Sequence, residues 1–229
     1  MNKKAGRRYR AAFLLLTVLL FALIVWNINS GSVSVTVGEI FEILFAGKGE
    51  ETAYQIIWSI RLPRILAVIV LGGALSVSGF LLQTFFANPI AGPFVLGISS
   101  GAKLVVALVM IACLEHSLTV SSGLMIAAAF AGSLISMGFV LAVSRKVHQM
   151  SLLVISGIMI SYICSAITDF VVTFADDSDI VNLHNWSMGS FSGTSWDNVA
   201  VMSVVVGAAM VMAFLMSKPI GAYQLGEAY

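Results

Sequence analysis

Long unbroken apolar runs, rather than alternating apolar and polar positions, set the pattern of this chain. Six stand out: about Ala11–Trp26, Leu62–Leu82, Phe94–Leu114, Ser121–Ser144, Leu152–Phe174 and Val199–Met216. Each is near the ~20 residues with which an α-helix crosses ~30 Å of hydrocarbon. The two-residue alternation of barrel strands is absent. The pattern therefore predicts an all-α, polytopic transmembrane helical bundle with six spans. Two polar segments exceed simple turns. Residues 33–60 carry Val37, Ile40, Phe41, Ile43 and Leu44 at helical spacing, which predicts an outer loop with a short surface helix. Residues 175–197 carry Leu183, Trp186, Met188 and Phe191 with Gly189 and Gly193, which predicts a second outer loop, a short helix and then a Gly/Ser turn. Trp186 and Trp196 suit an interfacial aromatic belt.

Composition agrees with lipid as the solvent. Charged residues are 10% of the chain and hydrophobic residues 59%, whereas soluble domains carry roughly 25% charged residues. Cys113 and Cys164 lie inside apolar runs with no Cys-x-x-Cys, so no structural disulfide is expected. The three histidines are scattered without metal-ligand spacing, and no cofactor is expected. The basic start followed by an apolar run also describes a signal peptide. No small-x-small cleavage site after it is convincing, and the later topology uses this helix as a span.

Charge placement orients the bundle. Lys3, Lys4, Arg7, Arg8 and Arg10, then Arg145, Lys146 and His148, then Lys218 fall at alternate ends of the helices. These ends are expected in the cytoplasm, with the N-terminus there. Glu39, Glu42, Glu50, Glu51, Glu115, Asp176, Asp177, Asp179 and Asp197 mark the opposite face. Arg61 and Arg64 break the rule on that outer side. They either snorkel at the interface or form a docking site.

No phosphate loop, Ser/His/Asp set or carboxylate pair is discernible, so any energetic step belongs to a partner. The chain is not expected to be an enzyme. Pro63 suits the first turn of a helix. Gly72, Gly73, Ala74, Ser76, Ser78 and Gly79 supply small positions for close helix approach. Asn88, Pro89 and Pro93 end the second helix in a tight loop, and Gly97 and Gly101 make a small-xxx-small face on the third. Lys103 and Asp169 are ionisable residues within spans, a position that lipid penalises by roughly 2.5–3.5 kcal/mol on insertion scales. Lys103 is mid-span if its helix starts at Phe94, and near the inner surface if Leu96–Ala102 is partly loop. Asp169 lies near the outer end of its helix and could line the pathway mouth.

The ordered stretches RLPR (61–64), GALSVSGFLLQTFFANPIAGP (73–93), LGISSGA (96–102) and NWSMGS (185–190) resemble the FecCD-type permeases of uptake ABC transporters for iron-siderophores, haem and vitamin B12. The resemblance covers essentially the whole chain, and Leu225, Gly226, Glu227 and Tyr229 are similar to the start of the family's cytoplasmic coupling loop. It implies one transmembrane permease domain over residues 1–229, with residues 217–229 beginning that loop. It further implies ten spans in a complete subunit, so the chain is expected to be C-terminally incomplete. The family's Gly-Phe-x-Gly-Leu-x-x-Pro-His segment is absent. The resemblance also implies the roles. Arg61, with Arg64, resembles the binding-protein docking point, and Arg suits bidentate recognition of a carboxylate. Asn88 resembles a residue of the cytoplasmic gate, where it also reads as a helix stop. Ser151 begins the helix that resembles the pathway-lining one, where it also reads as an N-cap. Leu225, Gly226 and Glu227 resemble the contact with the ATPase. Implied partners are a second permease subunit (identical or not), two cytoplasmic ATPase subunits, an extracellular or periplasmic substrate-binding protein and the lipid bilayer. No nucleic acid is implied. The alternative, an ion-gradient-driven secondary transporter, would place paired charges at the midplane. Lys103 and Asp169 support it poorly.

Overall fold

With no water in hydrocarbon to take up backbone N–H and C=O groups, each apolar run must satisfy them within itself, and a helix does so. The computed structural model describes residues 3–31, 36–43, 51–115, 120–146 and 150–224, and all regular structure among them is helical. In chain order these are α1 (Lys3–Asn29), α2 (Val37–Phe41), α3 (Glu51–Gln55), a π-helical segment (Ile56–Arg61), α4 (Leu62–Phe85), α5 (Ile98–Glu115), α6 (Ser122–Ser144), α7 (Met150–Val172), α8 (Asp177–Met188), α9 (Trp196–Leu215) and α10 (Ser217–Gln224).

Five helical stretches are long and apolar enough to cross a membrane: Gly6–Asn29, Glu51–Phe85, Ser122–Ser144, Leu152–Val172 and Trp196–Leu215. The third expected span is α5, which has 18 residues and so reaches about 27 Å. It starts at Ile98 rather than Phe94 because residues 93–97 form turns. Gly97 closes them at φ 75°, a conformation that a β-carbon disfavours. The second span departs from expectation in the other direction. The outer loop was expected to run to residue 60, yet helix begins at Glu51 and continues to Phe85. Pro63 falls in the first turn of α4, as expected, but that helix runs on directly from the π-helical segment before it.

Local chemistry sets the other boundaries. Thr36 and Glu39 form a reciprocal capping box at α2: Thr36 N–H donates to Glu39 Oε2 at 2.8 Å, and Glu39 N–H to Thr36 Oγ1 at 3.4 Å. The Ser121 hydroxyl caps α6 by accepting from Leu124 N–H at 3.3 Å. Gly189, at φ 75°, ends α8.

The chain divides into two compact units. The first comprises Met1–Gly73 and Phe191–Ala209. Its core is Ile28, Ile40, Ile43, Ile57 and Ile65, with Trp58 and Leu62 packed against them. The second comprises Ala74–Ser190 and Met210–Tyr229. In it α5 packs against both α6 and α7, and α8 packs on α5. One apolar cluster there joins Val106, Ala107, Met110, Met125, Ala128 and Leu183. Another joins Phe86, Ala91, Leu96, Val140 and Leu153. Large side chains such as Phe13 (72% exposed), Phe21 (64%) and Trp26 (74%) cover the outside of α1, as befits a helix whose surroundings are apolar.

Candidate functional site

Within the first unit, three polar side chains reach across to backbone carbonyls. Arg61 is only 7% exposed. Its Nη1 donates to the carbonyl of Ile28 in the last turn of α1, and its guanidinium lies against Gly31. The last carbonyls of a helix have no partner inside it, and a cation there also meets the negative end of the helix dipole. Gly31 leaves the room: a β-carbon at that position would collide with Arg61 Nη2 and come within 3.0 Å of Cζ. Arg64, half-buried one turn further on, donates from Nε to Phe191 O at 3.3 Å and from Nη2 to Ser192 O at 3.4 Å. The indole of Trp196 donates to Trp58 O at 2.7 Å, with the two rings 5.9 Å apart. The two arginines thus reach different backbone carbonyls, and Arg61 is turned into the chain rather than presented at the surface. Trp196, which its position suits to an interfacial belt, is also a tie between α9 and the helix entering α4.

At the other end of α4, within the second unit, the chain turns through Asn88. Asn88 Oδ1 accepts from Ile90 N–H at 2.9 Å and its carbonyl from Ala91 N–H at 3.2 Å. This is an Asx turn, the local hydrogen bonding that makes asparagine a helix stop. Ala87 before it has φ 46°. Leu96 is buried and Gly97 seats against α7: a β-carbon on Gly97 would lie 2.5 Å from Ile160 Cγ2 and 2.9 Å from Gly157 O. Conversely, one on Gly157 would lie 2.8 Å from Leu96 Cα. On the neighbouring turn Gly101 meets α6, where a β-carbon would overlap Ser136 Oγ and lie 2.7 Å from Gly132 O. Gly132 in turn lies against Gly101 O. Gly132, Ser136 and Gly157 were not singled out from sequence, although Gly132 and Ser136 carry the same four-residue spacing of small residues that marks Gly97 and Gly101. A β-carbon at Gly72 or Gly79 would meet nothing within 4 Å among the described residues. Gly73 lies beside Gly72 in α4.

Ser151 lies in the first turn of α7. Asp169 is exposed near the other end of α7, where its backbone carbonyl accepts from Thr173 N–H and Thr173 Oγ1. Lys103 is half-buried five residues into α5, about 8 Å along the helix. The late start of α5 therefore places it in the first third of that helix rather than at its middle. Leu225, Gly226 and Glu227 lie outside the described residues; α10, ending at Gln224, leads into them. Among the described residues no three His, Cys, Asp or Glu side chains gather as metal ligands.

Residues 18–229 match the model of the FecCD transport family. The chain is 31% identical over 228 residues to the hemin transport system permease protein HmuU of Yersinia pestis, covering 99% of this chain and 66% of that protein. It is 33% identical over 221 residues to the vitamin B12 import system permease protein BtuC of Klebsiella pneumoniae, covering 96% of this chain and 63% of that one. A solved structure of a metal-chelate type ABC transporter in an inward-facing conformation superposes with a TM-score of 0.75 at 23% identity, over 93% of this chain and 64% of its own. That likeness establishes the fold. The chain spans slightly less than two thirds of the length of these relatives.

Proposed function

From the premise that the chain belongs to the FecCD transport family, we propose that it is the membrane-spanning part of a permease subunit in a binding-protein-dependent ABC importer. The observation that carries this reading is the match along nearly the whole chain to permeases of hemin and vitamin B12 import. The cargo class is an iron chelate or a related metal-bearing ligand such as haem or cobalamin. The chain hydrolyses nothing itself. Two cytoplasmic ATPase subunits drive it, a second permease subunit completes the pathway, and a substrate-binding protein delivers the cargo from outside the cell membrane. The basic N-terminus is cytoplasmic.

Arg64, half-buried beside the 191–192 turn, receives a carboxylate of the binding protein. Arg61 supports that face from within. Asn88 belongs to the cytoplasmic gate, Ser151 and Asp169 to the pathway helix α7, and Leu225, Gly226 and Glu227 to the coupling contact with the ATPase. The test is uptake into proteoliposomes containing the assembled importer. Accumulation is expected to need both ATP and the binding protein. Accumulation driven by an ion gradient without either would establish a secondary transporter instead.

A further inference from the structure

Pro63 is fully buried inside a helix that continues on both sides of it, and a proline there deprives one carbonyl of its partner. Helix register decides which carbonyl that is. In the α register it is that of Ser59, four residues back, which the pyrrolidine ring also crowds. In the π register, with its i→i+5 bonds, the same proline is also the partner that Trp58 O would need. The structure takes the second course: Ile56–Arg61 is π-helical, and Leu62 N–H donates to Ile57 O. Trp58 O thus loses Leu62 N–H to Ile57, and the next donor along, at position 63, has no hydrogen. It is Trp58 O, not Ser59 O, that Trp196 Nε1 reaches, at 2.7 Å. The observed register therefore has an outside donor at the carbonyl that Leu62 N–H gives up. Trp58 Nε1 is itself buried and has no acceptor among the described residues.

The register also sets the direction of every side chain beyond Arg61 on α4. Changing from π to α would turn α4 by about 100° relative to the helix before Ile56. Arg61 and Arg64 lie at and just past that point. Their present directions, one into the last turn of α1 and one onto the 191–192 turn, hold only in the register observed. We propose that Trp196 is a positioning residue for the docking face. By supplying the hydrogen bond that Pro63 withholds, it selects the π register and so aims Arg61 inward and Arg64 at the surface. The aim rests on the docking role assigned to Arg64; the register selection does not.

The test is a double-mutant cycle in the assembled importer, reading the melting temperature and the affinity for the binding protein. Trp196→Phe keeps the ring and removes the donor. It is expected to lower the melting temperature and weaken docking by roughly 3- to 10-fold, the worth of one hydrogen bond. Adding Pro63→Ala lets the helix satisfy both carbonyls in the α register. The double variant is expected to regain its melting temperature while docking stays weak, because the arginines have turned. An unchanged melting temperature in Trp196→Phe would overturn the inference, and so would a melting temperature that Pro63→Ala fails to restore. Docking that recovers together with stability would show Trp196 to be structural only. Arg64→Glu is the control: if it leaves docking unchanged, the docking assignment fails, and the melting arm alone decides the register.

Discussion

Gly101 and Gly79 are the same residue type on helices of the same protein, yet their surroundings differ. A methyl group at Gly101 would meet Ser136 and the carbonyl of Gly132, which belongs to a backbone that cannot swing aside, whereas at Gly79 it would meet open space. Overpacking of this kind costs about 1–3 kcal/mol. Gly101→Ala is therefore expected to lower the melting temperature of the detergent-solubilised protein clearly, and Gly79→Ala to leave it unaltered. Equal effects would contradict the packing described. Spacing of small residues made Gly97 and Gly101 legible in the sequence. It named Gly72 and Gly79 with equal force, because a small residue announces room for a neighbour without saying whether one comes. Arg61 carries the same lesson: its charge was visible, but its direction depended on Gly31 and the end of α1.

Helix boundaries show what local sequence can and cannot settle. The stop after α4 was readable because Asn88 makes its own turn. Asn88→Ala removes the acceptor for Ile90 N–H and should cost about 1 kcal/mol, while Asn88→Asp, which keeps an acceptor oxygen, should cost less. Thermal unfolding of the two variants checks this, and equal losses would point to a role outside the turn. The start of α5 was misplaced by four residues, since an apolar run does not reveal that Pro93 to Gly97 are spent on turns. That shift decides the reading of Lys103. About 8 Å from the start of its helix, its ammonium can reach the polar level by extending along the helix. Lys103→Met should therefore leave uptake within about threefold of the parent, and abolished transport would return the lysine to the pathway. α4 begins at Leu62, where the sequence put it, but the helix that runs into it from Glu51 was not legible, because Pro63 reads as a free helix start.

At the level of the whole molecule, the proposed coupling contact with an ATPase falls on the residues after Gln224. Gly226→Trp in the assembled importer should leave ATP hydrolysis running while uptake falls at least tenfold; uptake that keeps pace with hydrolysis would remove Gly226 from the coupling contact. The bilayer explains why so much else was legible from the chain alone. In a medium that solvates no backbone, the choice of helix follows from the apolar runs, and loop charge supplies an expected orientation. Motif order along the chain was enough to identify the family. Tertiary structure alone decided which glycines are pressed against a neighbour, which carbonyl Trp196 serves, where Arg61 points and in what register α4 begins. Each of these depends on a group distant in sequence arriving within hydrogen-bonding or van der Waals distance, and no local pattern records such an arrival.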